Sequence, residues 1–158
     1  NMTGPILDIG TGREALFARD VLEQRPELQI ISTSIHLGSL VSPMRSWLSR
    51  HTERGQFVAA DSIDLPFSDE TFSTIVSLNA APYYASYEEV PIFIKEAHRV
   101  LKMGGAALLG AAVCDSGERQ LNQSDVSDLN IDVRVVDMPP SARFMYVPEL
   151  TKMITIKK

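Results

Sequence analysis

Four short stretches of this chain carry residue types that can hold a small polar ligand. In the first, Asp8-Ile9-Gly10-Thr11-Gly12, a carboxylate stands two residues before a pair of glycines spaced one apart. Glycine has no Cβ, so the backbone there can turn tightly and approach a ligand closely. A helix starting just after such a turn adds unpaired N–H groups and the positive end of its dipole. That combination suits a nucleotide-like molecule, and Asp8 can bind a hydroxyl or an ammonium. The other stretches are Ser34-Ile35-His36, Asp61-Ser62, and the run from Leu78-Asn79 to Tyr83-Tyr84. No nucleophile–base dyad stands out, and nothing sets His and Cys at metal-ligand spacing, so no metal is expected.

Something must bring the four stretches together, and the hydrophobic pattern says what. Ile6-Leu7 leads into Asp8 as a first strand, and Glu14 to Arg25 reads as an amphipathic helix carrying Leu16, Phe17, Val21 and Leu22. Pro26 ends it. Leu28 to Ile35, rich in β-branched residues, is a second strand. A helix is expected from Ser39 to His51, with Pro43 in its first turn, where proline is tolerated. Gln56 to Ala60 is a third strand delivering Asp61 and Ser62, and Phe72 to Leu78 a fourth. The spacing of Val90, Ile94, Ala97 and Leu101 predicts a helix within Tyr87 to Met103, stopped by Gly104-Gly105. Ala106 to Val113 is an unbroken apolar run, expected as a fifth strand in a sheet buried on both faces. Asp115 to Asn130 has room for only a short helix; Ile131 to Val136 and Met153 to Lys157 complete seven strands.

Strands alternating with helices predict an α/β fold: a Rossmann-like, doubly wound, mostly parallel seven-stranded sheet with helices on both faces. Ligands of such sheets sit at the carboxyl ends of the strands. All four polar stretches fall there, which is the main evidence for a binding site.

The 158 residues fit a single domain spanning 1–158. A formal net charge of −5 with scattered Lys and Arg argues against a nucleic-acid footprint. No apolar run approaches membrane-spanning length. The single Cys114 excludes an intrachain disulfide and reads as a small buried residue near a strand end. A cytoplasmic setting is expected. Only five residues precede the first strand, so the chain is read either as trimmed or as naturally minimal, and Asn1 before Met2 hints at a cloning remnant. Helices covering the site from that side are therefore expected to be missing, with a partner subunit supplying a lid.

With these residues in place, the chain resembles the class I S-adenosylmethionine-dependent methyltransferases, nearest the subgroup typified by ubiquinone and menaquinone biosynthesis. Leu7-Asp8-Ile9-Gly10-Thr11-Gly12 resembles the family's first motif, and Asp61-Ser62-Ile63-Asp64-Leu65-Pro66-Phe67, followed by Phe72, its acidic third-strand motif and the loop beyond. Glu96-Ala97-His98-Arg99-Val100-Leu101-Lys102-Met103-Gly104-Gly105 resembles the stretch before its fifth strand. The resemblance implies S-adenosylmethionine as cofactor, with Gly10, Thr11 and Gly12 beside its methionine and ribose portions and Asp8 supporting its amino group. It places Ser34 and Ile35 at the ribose, Asp61 on the adenine amino group, and the Ser62 N–H on a ring nitrogen. Ser77, Leu78 and Asn79 fall near the transferred methyl, while Leu65, Pro66 and Phe67 fix a loop. Asn79, Tyr83, Tyr84 and His36 are the polar groups nearest the expected methyl, although the two tyrosines read first as packing beneath a loop. His51 and His98 read as surface residues, and Glu88-Glu89 as a solvated helix entry.

Several positions depart from the family pattern. Glu14 stands where a third glycine is usual, and Ser34 where a carboxylate usually grips both ribose hydroxyls; Ser73 and Met103 are milder changes. A hydroxyl cannot form the paired charge-assisted bonds of a carboxylate, worth roughly 1.5–3 kcal/mol each. Two functions therefore stand side by side: methyl transfer to a small-molecule or protein acceptor, or a non-catalytic interaction or regulatory module with weakened cofactor binding. A dinucleotide oxidoreductase also fits Gly10 to Ala15 but leaves the later motifs unexplained.

Overall fold

The computed structural model describes residues 4–12, 15–35, 53–78, 80–137 and 152–158. Along the chain run β1 (Ile6–Ile9), α1 (Leu16–Gln24), β2 (Ile30–Ser34), β3 (Gly55–Ala59), β4 (Phe72–Ser77), α2 (Val90–Val100) and β5 (Leu101–Leu109). A small hairpin of β6 (Val113–Cys114) and β7 (Arg119–Gln120) follows, then β8 (Asp132–Asp137) and β9 (Lys152–Lys157). The expected helix at 39–51 lies outside the described residues.

The main sheet has seven strands in the order β3-β2-β1-β4-β5-β9-β8. From β3 to β5 all neighbours are parallel, and β9 runs antiparallel to both β5 and β8. The chain starts in the middle at β1, winds outward to β3, then returns to the other side of β1 as β4. That reversal opens a crevice above the carboxyl ends of β1 and β4.

Alternation along the strands explains the two-sided core. Leu7, Ile9, Ile75, Ala107, Leu109, Ile154 and Ile156 face one way and pack with Phe93, Ile94, Ala97 and Val100 of α2. Ile6 and Ile30 face the other way, against Ala15, Ala18 and Leu22 around α1. Helices thus cover both faces, as the sequence pattern predicts.

Three expectations need correction. The helix expected to reach Met103 ends at Val100, and β5 runs straight on from Leu101 through Gly104-Gly105. Helical spacing continues through Leu101, but pairing with Phe72 claims that residue for the sheet, and a register shift between Phe72 and Thr74 absorbs the irregular start. Secondly, β5 is not buried on both faces: Ala106 and Leu108 point to solvent on the side opposite α2, Leu108 at 40% exposure. Thirdly, the polar stretch after Cys114 forms three single 3-10 turns, Asp115–Gly117, Gln123–Asp125 and Ser127–Leu129, rather than a short helix.

Candidate active site

Above the carboxyl ends of the parallel strands lies a cleft of about 490 Å³, within the range of small-molecule sites. Each strand brings its share of the lining: Ile9, Gly10 and Gly12 after β1; Thr33, Ser34 and Ile35 from β2; Ala60 to Ile63 after β3; and Ala80, Ala81, Tyr84, Ala85 and Glu89 beyond β4.

The turn after β1 is built tightly. Gly10 and Thr11 both donate their N–H to Thr33 O, at 3.0 Å each, which pins the turn to β2. Gly10 has φ +72° and Gly12 φ +69°, a region that favours glycine. The two differ in what surrounds them. A Cβ on Gly10 would collide with the Cβ of Ala80, whereas one on Gly12 would meet nothing within 4 Å. Gly10 therefore serves the close approach of two chain segments, and Gly12 leaves open space on the cleft side.

Asp8 sits beneath this turn and does not line the cleft. It is 2% exposed and accepts a 3.2 Å hydrogen bond from Ser32 Oγ of the neighbouring strand. Burial pushes its carboxyl up to about 6, against the smaller, opposing influence of the nearby Thr11 and Ser32 hydroxyls. Thr11 Oγ1 lies close but completes no hydrogen bond of good geometry, and is buried without a partner. Ser77 is likewise removed from the cleft: it is fully buried, donating to Ala81 O at 2.7 Å with Ile9 O at 3.1 Å. It ties the end of β1 to the segment after β4, where the Ala81–Pro82 peptide is cis.

Beyond β3, Asp61 is exposed on the cleft rim and its Oδ1 accepts the Ile63 N–H at 3.2 Å. Ser62 and Ile63 follow it along the wall. The loop then turns down to Leu65-Pro66-Phe67, which is gripped by Glu96 and Arg99 of α2.

Of the residues singled out from sequence, Gly10, Gly12, Ser34, Ile35, Asp61, Ser62 and Tyr84 converge on the cleft. Asp8 and Ser77 support it from below, Thr11 belongs to its turn, and Leu78 is not part of the lining. Asn79, His36, His51 and Glu14 lie outside the described residues. Cys114 is buried as expected, and burial pushes its thiol up to about 11, which disfavours the thiolate at neutral pH.

The wall beyond β4 answers in part to the expected run Leu78 to Tyr84: Tyr84 lines the cleft rather than packing beneath a loop, and Glu89 is the lining residue that sequence reasoning missed. Tyr84 is 71% exposed at the cleft, its ring edge-on to Tyr83 at 4.9 Å between centroids. Tyr83 packs instead under the hairpin, against Gly117. Glu89, expected to be solvated, lines the cleft, and its Oε2 accepts the Ser86 N–H at 2.7 Å. The one sequence signal was the Ser86-x-x-Glu89 spacing of a capping box before an apolar run.

A seven-stranded sheet wound from the centre, with a cleft over the reversal and a glycine turn at its edge, is the architecture of the class I methyltransferases. The match to a family described as "Methyltransferase domain" covers residues 7–109, and the chain belongs to that family. Among curated relatives, the erythromycin 3''-O-methyltransferase of Saccharopolyspora erythraea is 32% identical over 108 residues, 66% of this chain and 33% of the relative. The phthiotriol/phenolphthiotriol dimycocerosates methyltransferase 2 of Mycobacterium ulcerans is 29% identical over 93 residues, 48% of this chain and 35% of the relative. The matched stretches thus span about a third of those proteins. Of solved structures, a chain from the complex of the Haloferax volcanii Trm112 methyltransferase activator with a methyltransferase superposes with a TM-score of 0.70 at 16% identity. That match covers 99% of this chain and 83% of the other. Haemonchus contortus phosphoethanolamine N-methyltransferase 2 bound to S-adenosyl-L-methionine superposes at 0.69 and 13% identity, covering 99% of this chain and 49% of the other. At such identities the likeness is one of fold. No helix among the described residues is long and apolar enough to cross a membrane.

Proposed function

We propose that this chain binds S-adenosylmethionine and transfers its methyl group to a small-molecule or protein acceptor. The observation that carries the reading is the order of the cleft: the ends of β1, β2 and β3 and the segment after β4 all line one space, with Gly12 open toward it. The residues present suit the group. The Gly10-Thr11-Gly12 backbone can approach the methionine and ribose, Ser34 and Ile35 flank the ribose, Asp61 accepts from the adenine amino group, and the Ser62 N–H meets a ring nitrogen. Asp8 supports the amino group through the turn from beneath. When bound, S-adenosylmethionine supplies an electrophilic methyl on a sulfonium. The protein's part is then to orient the two reactants and exclude water, and positioning alone can supply much of the acceleration. A general base is needed only for an acceptor that must lose a proton.

The Haloferax neighbour was solved with an activator protein, which supports a second element of the proposal: a partner completes the open side of this cleft. A cytoplasmic setting belongs to the same reading.

Calorimetric titration of the cofactor-free protein with S-adenosylmethionine and, separately, S-adenosylhomocysteine tests it. Binding in the micromolar range is the expected result. No heat and no thermal shift at millimolar ligand, in a folded sample, overturns the reading and leaves the non-catalytic interaction module.

A further inference from the structure

The wall beyond β4 is braced from behind. The hairpin of β6 and β7 lies against it, with Ser116 N–H donating to Tyr83 O at 2.9 Å and Asp115 N–H to Ala85 O at 2.8 Å. Asp115 Oδ1 in turn accepts the Tyr87 N–H at 3.2 Å. Arg119 stacks its guanidinium 3.2 Å from the Tyr87 ring centroid, while Tyr87 OH donates to Asp125 Oδ1 at 3.0 Å. Glu89 stands at the end of this braced segment, one carboxylate oxygen fixed by Ser86.

Strand order locates Glu89 along the cleft. Asp61 follows β3, at one edge of the sheet, whereas Glu89 opens α2, which packs against β5 and β9 on the far side of β1. From β3 to β4 there are three strand spacings, about 14 Å. With adenine at the Asp61 end, the sulfonium lies toward Glu89; this step rests on the proposed function. From this geometry we infer that Glu89 reads the charge at the reacting sulfur, favouring the sulfonium-bearing substrate over the neutral thioether product. A carboxylate attracts a sulfonium across several ångströms of partly shielded cleft, enough for a three- to roughly tenfold preference. That attraction is gone once the methyl has left and the sulfur is neutral, so at equal concentrations Glu89 biases the site toward fresh substrate over spent product.

The test compares dissociation constants for S-adenosylmethionine and S-adenosylhomocysteine in the unsubstituted protein, Glu89→Gln and Glu89→Asp. The Gln variant keeps a side-chain oxygen for the Ser86 N–H, so the helix cap survives while the charge is lost. The expected result is a preference for the sulfonium ligand that falls about three- to tenfold in Glu89→Gln, with homocysteine-ligand affinity unchanged within about twofold, and that persists in Glu89→Asp. In the unsubstituted protein the preference also shrinks as salt rises from about 20 mM to about 500 mM, a readout that needs no variant to fold. An identical ratio in Glu89→Gln and the unsubstituted protein overturns the inference and leaves Glu89 a helix cap. Failure of both ligands to bind the unsubstituted protein overturns the proposed function and this inference together.

Discussion

Arg99 and Glu96, one turn apart on α2, form a two-point ion pair that holds the loop leaving the cleft. Arg99 Nη2 and Nε donate to the two Glu96 carboxylate oxygens at 2.6 and 2.9 Å. Glu96 Oε1 also accepts the Leu65 N–H at 2.8 Å, while Arg99 donates to Leu65 O at 3.0 Å, Phe67 O at 2.8 Å and Asp69 Oδ1 at 2.7 Å. The loop so held is the one that begins with Asp61 and Ser62, which line the cleft. Glu96 and Arg99, in the stretch that leads into β5, thus have a structural task.

Arg99→Ala removes the donor of two loop carbonyls and the counter-charge of a half-buried carboxylate. The expected cost is about 2–4 kcal/mol in urea or thermal unfolding. Arg99→Lys recovers only part, because an ammonium cannot reproduce the fork. Hydrogen exchange should quicken in residues 61–71 and stay unchanged in α1. The Arg99 hydrogen bonds hold the Glu96 carboxyl below its ordinary value against opposing burial. Its stabilising contribution is therefore present above the usual carboxylate range and lost as pH falls through the lowered value. Glu96→Gln, which keeps an acceptor for Leu65, should be less stable at neutral pH and less sensitive to acid.

The two glycines of the turn separate fold from ligand. Gly10→Ala drives a Cβ into Ala80 at a positive φ, and a loss of about 3 kcal/mol or more in stability is expected. The double substitution with Ala80→Gly relieves the clash and leaves roughly 1–2 kcal/mol of backbone strain. Gly12→Ala meets no protein atom, so it costs only that strain; the added methyl instead takes up ligand space. Chemical denaturation paired with S-adenosylmethionine titration distinguishes them: Gly12→Ala should fold and bind at least tenfold more weakly.

Asp8 acts on stability in the sense opposite to Glu96. Its folded-state value of about 6 lies above the ordinary carboxylate range, so the folded protein holds this proton longer than the unfolded chain does. Stability is then greatest below that range and declines as pH rises toward 6, by at most roughly 3 kcal/mol from this group. Asp8→Asn removes the charge, keeps an acceptor for Ser32 Oγ, and brings N–H donors toward the unpaired Thr11 Oγ1. The variant should gain about 1–3 kcal/mol at pH 7.5 and lose the slope between pH 4 and 6, read from urea midpoints across that interval. An unchanged slope would place the titration elsewhere.

What was legible in the sequence was local. A glycine pair after an apolar strand, β-branched runs, and polar residues at each strand's end specify β1 to β4 and most of the cleft, because each signal arises within a few residues. The errors came where distant contacts overrule local pattern. Leu101 continues the helical spacing of Val90, Ile94 and Ala97, yet pairing with Phe72 makes it the first residue of β5. The unbroken apolar run after Gly105 carries no alternation, so it could not announce that Ala106 and Leu108 face solvent. Glu89 reads as a solvated helix entry, and only bracing by Asp115, Ser116 and Arg119, some thirty residues on, makes its segment a cleft wall. Asp8 was visible as a chemical group, but its position under the turn depends on Ser32 of the next strand.

Ser34 offers the sharpest test of where the ribose lies. It ends β2, lines the cleft, and accepts the Ala60 N–H on its backbone carbonyl at 3.2 Å, fixing it beside the β3 wall. With the ribose beside Ser34, as proposed, a carboxylate at this point can accept from both ribose hydroxyls, and each such charge-assisted bond is worth roughly 1.5–3 kcal/mol. Ser34→Asp should therefore tighten S-adenosylmethionine at least tenfold, and 5'-methylthioadenosine, which shares the ribose and lacks the amino-acid portion, by the same factor. Equal gains for the two ligands fix the contact to the ribose rather than to the charged methionine end. A gain confined to S-adenosylmethionine would mean that the new carboxylate acts on the cofactor's positive charge, and an unchanged constant for both would move the ribose away from β2 altogether.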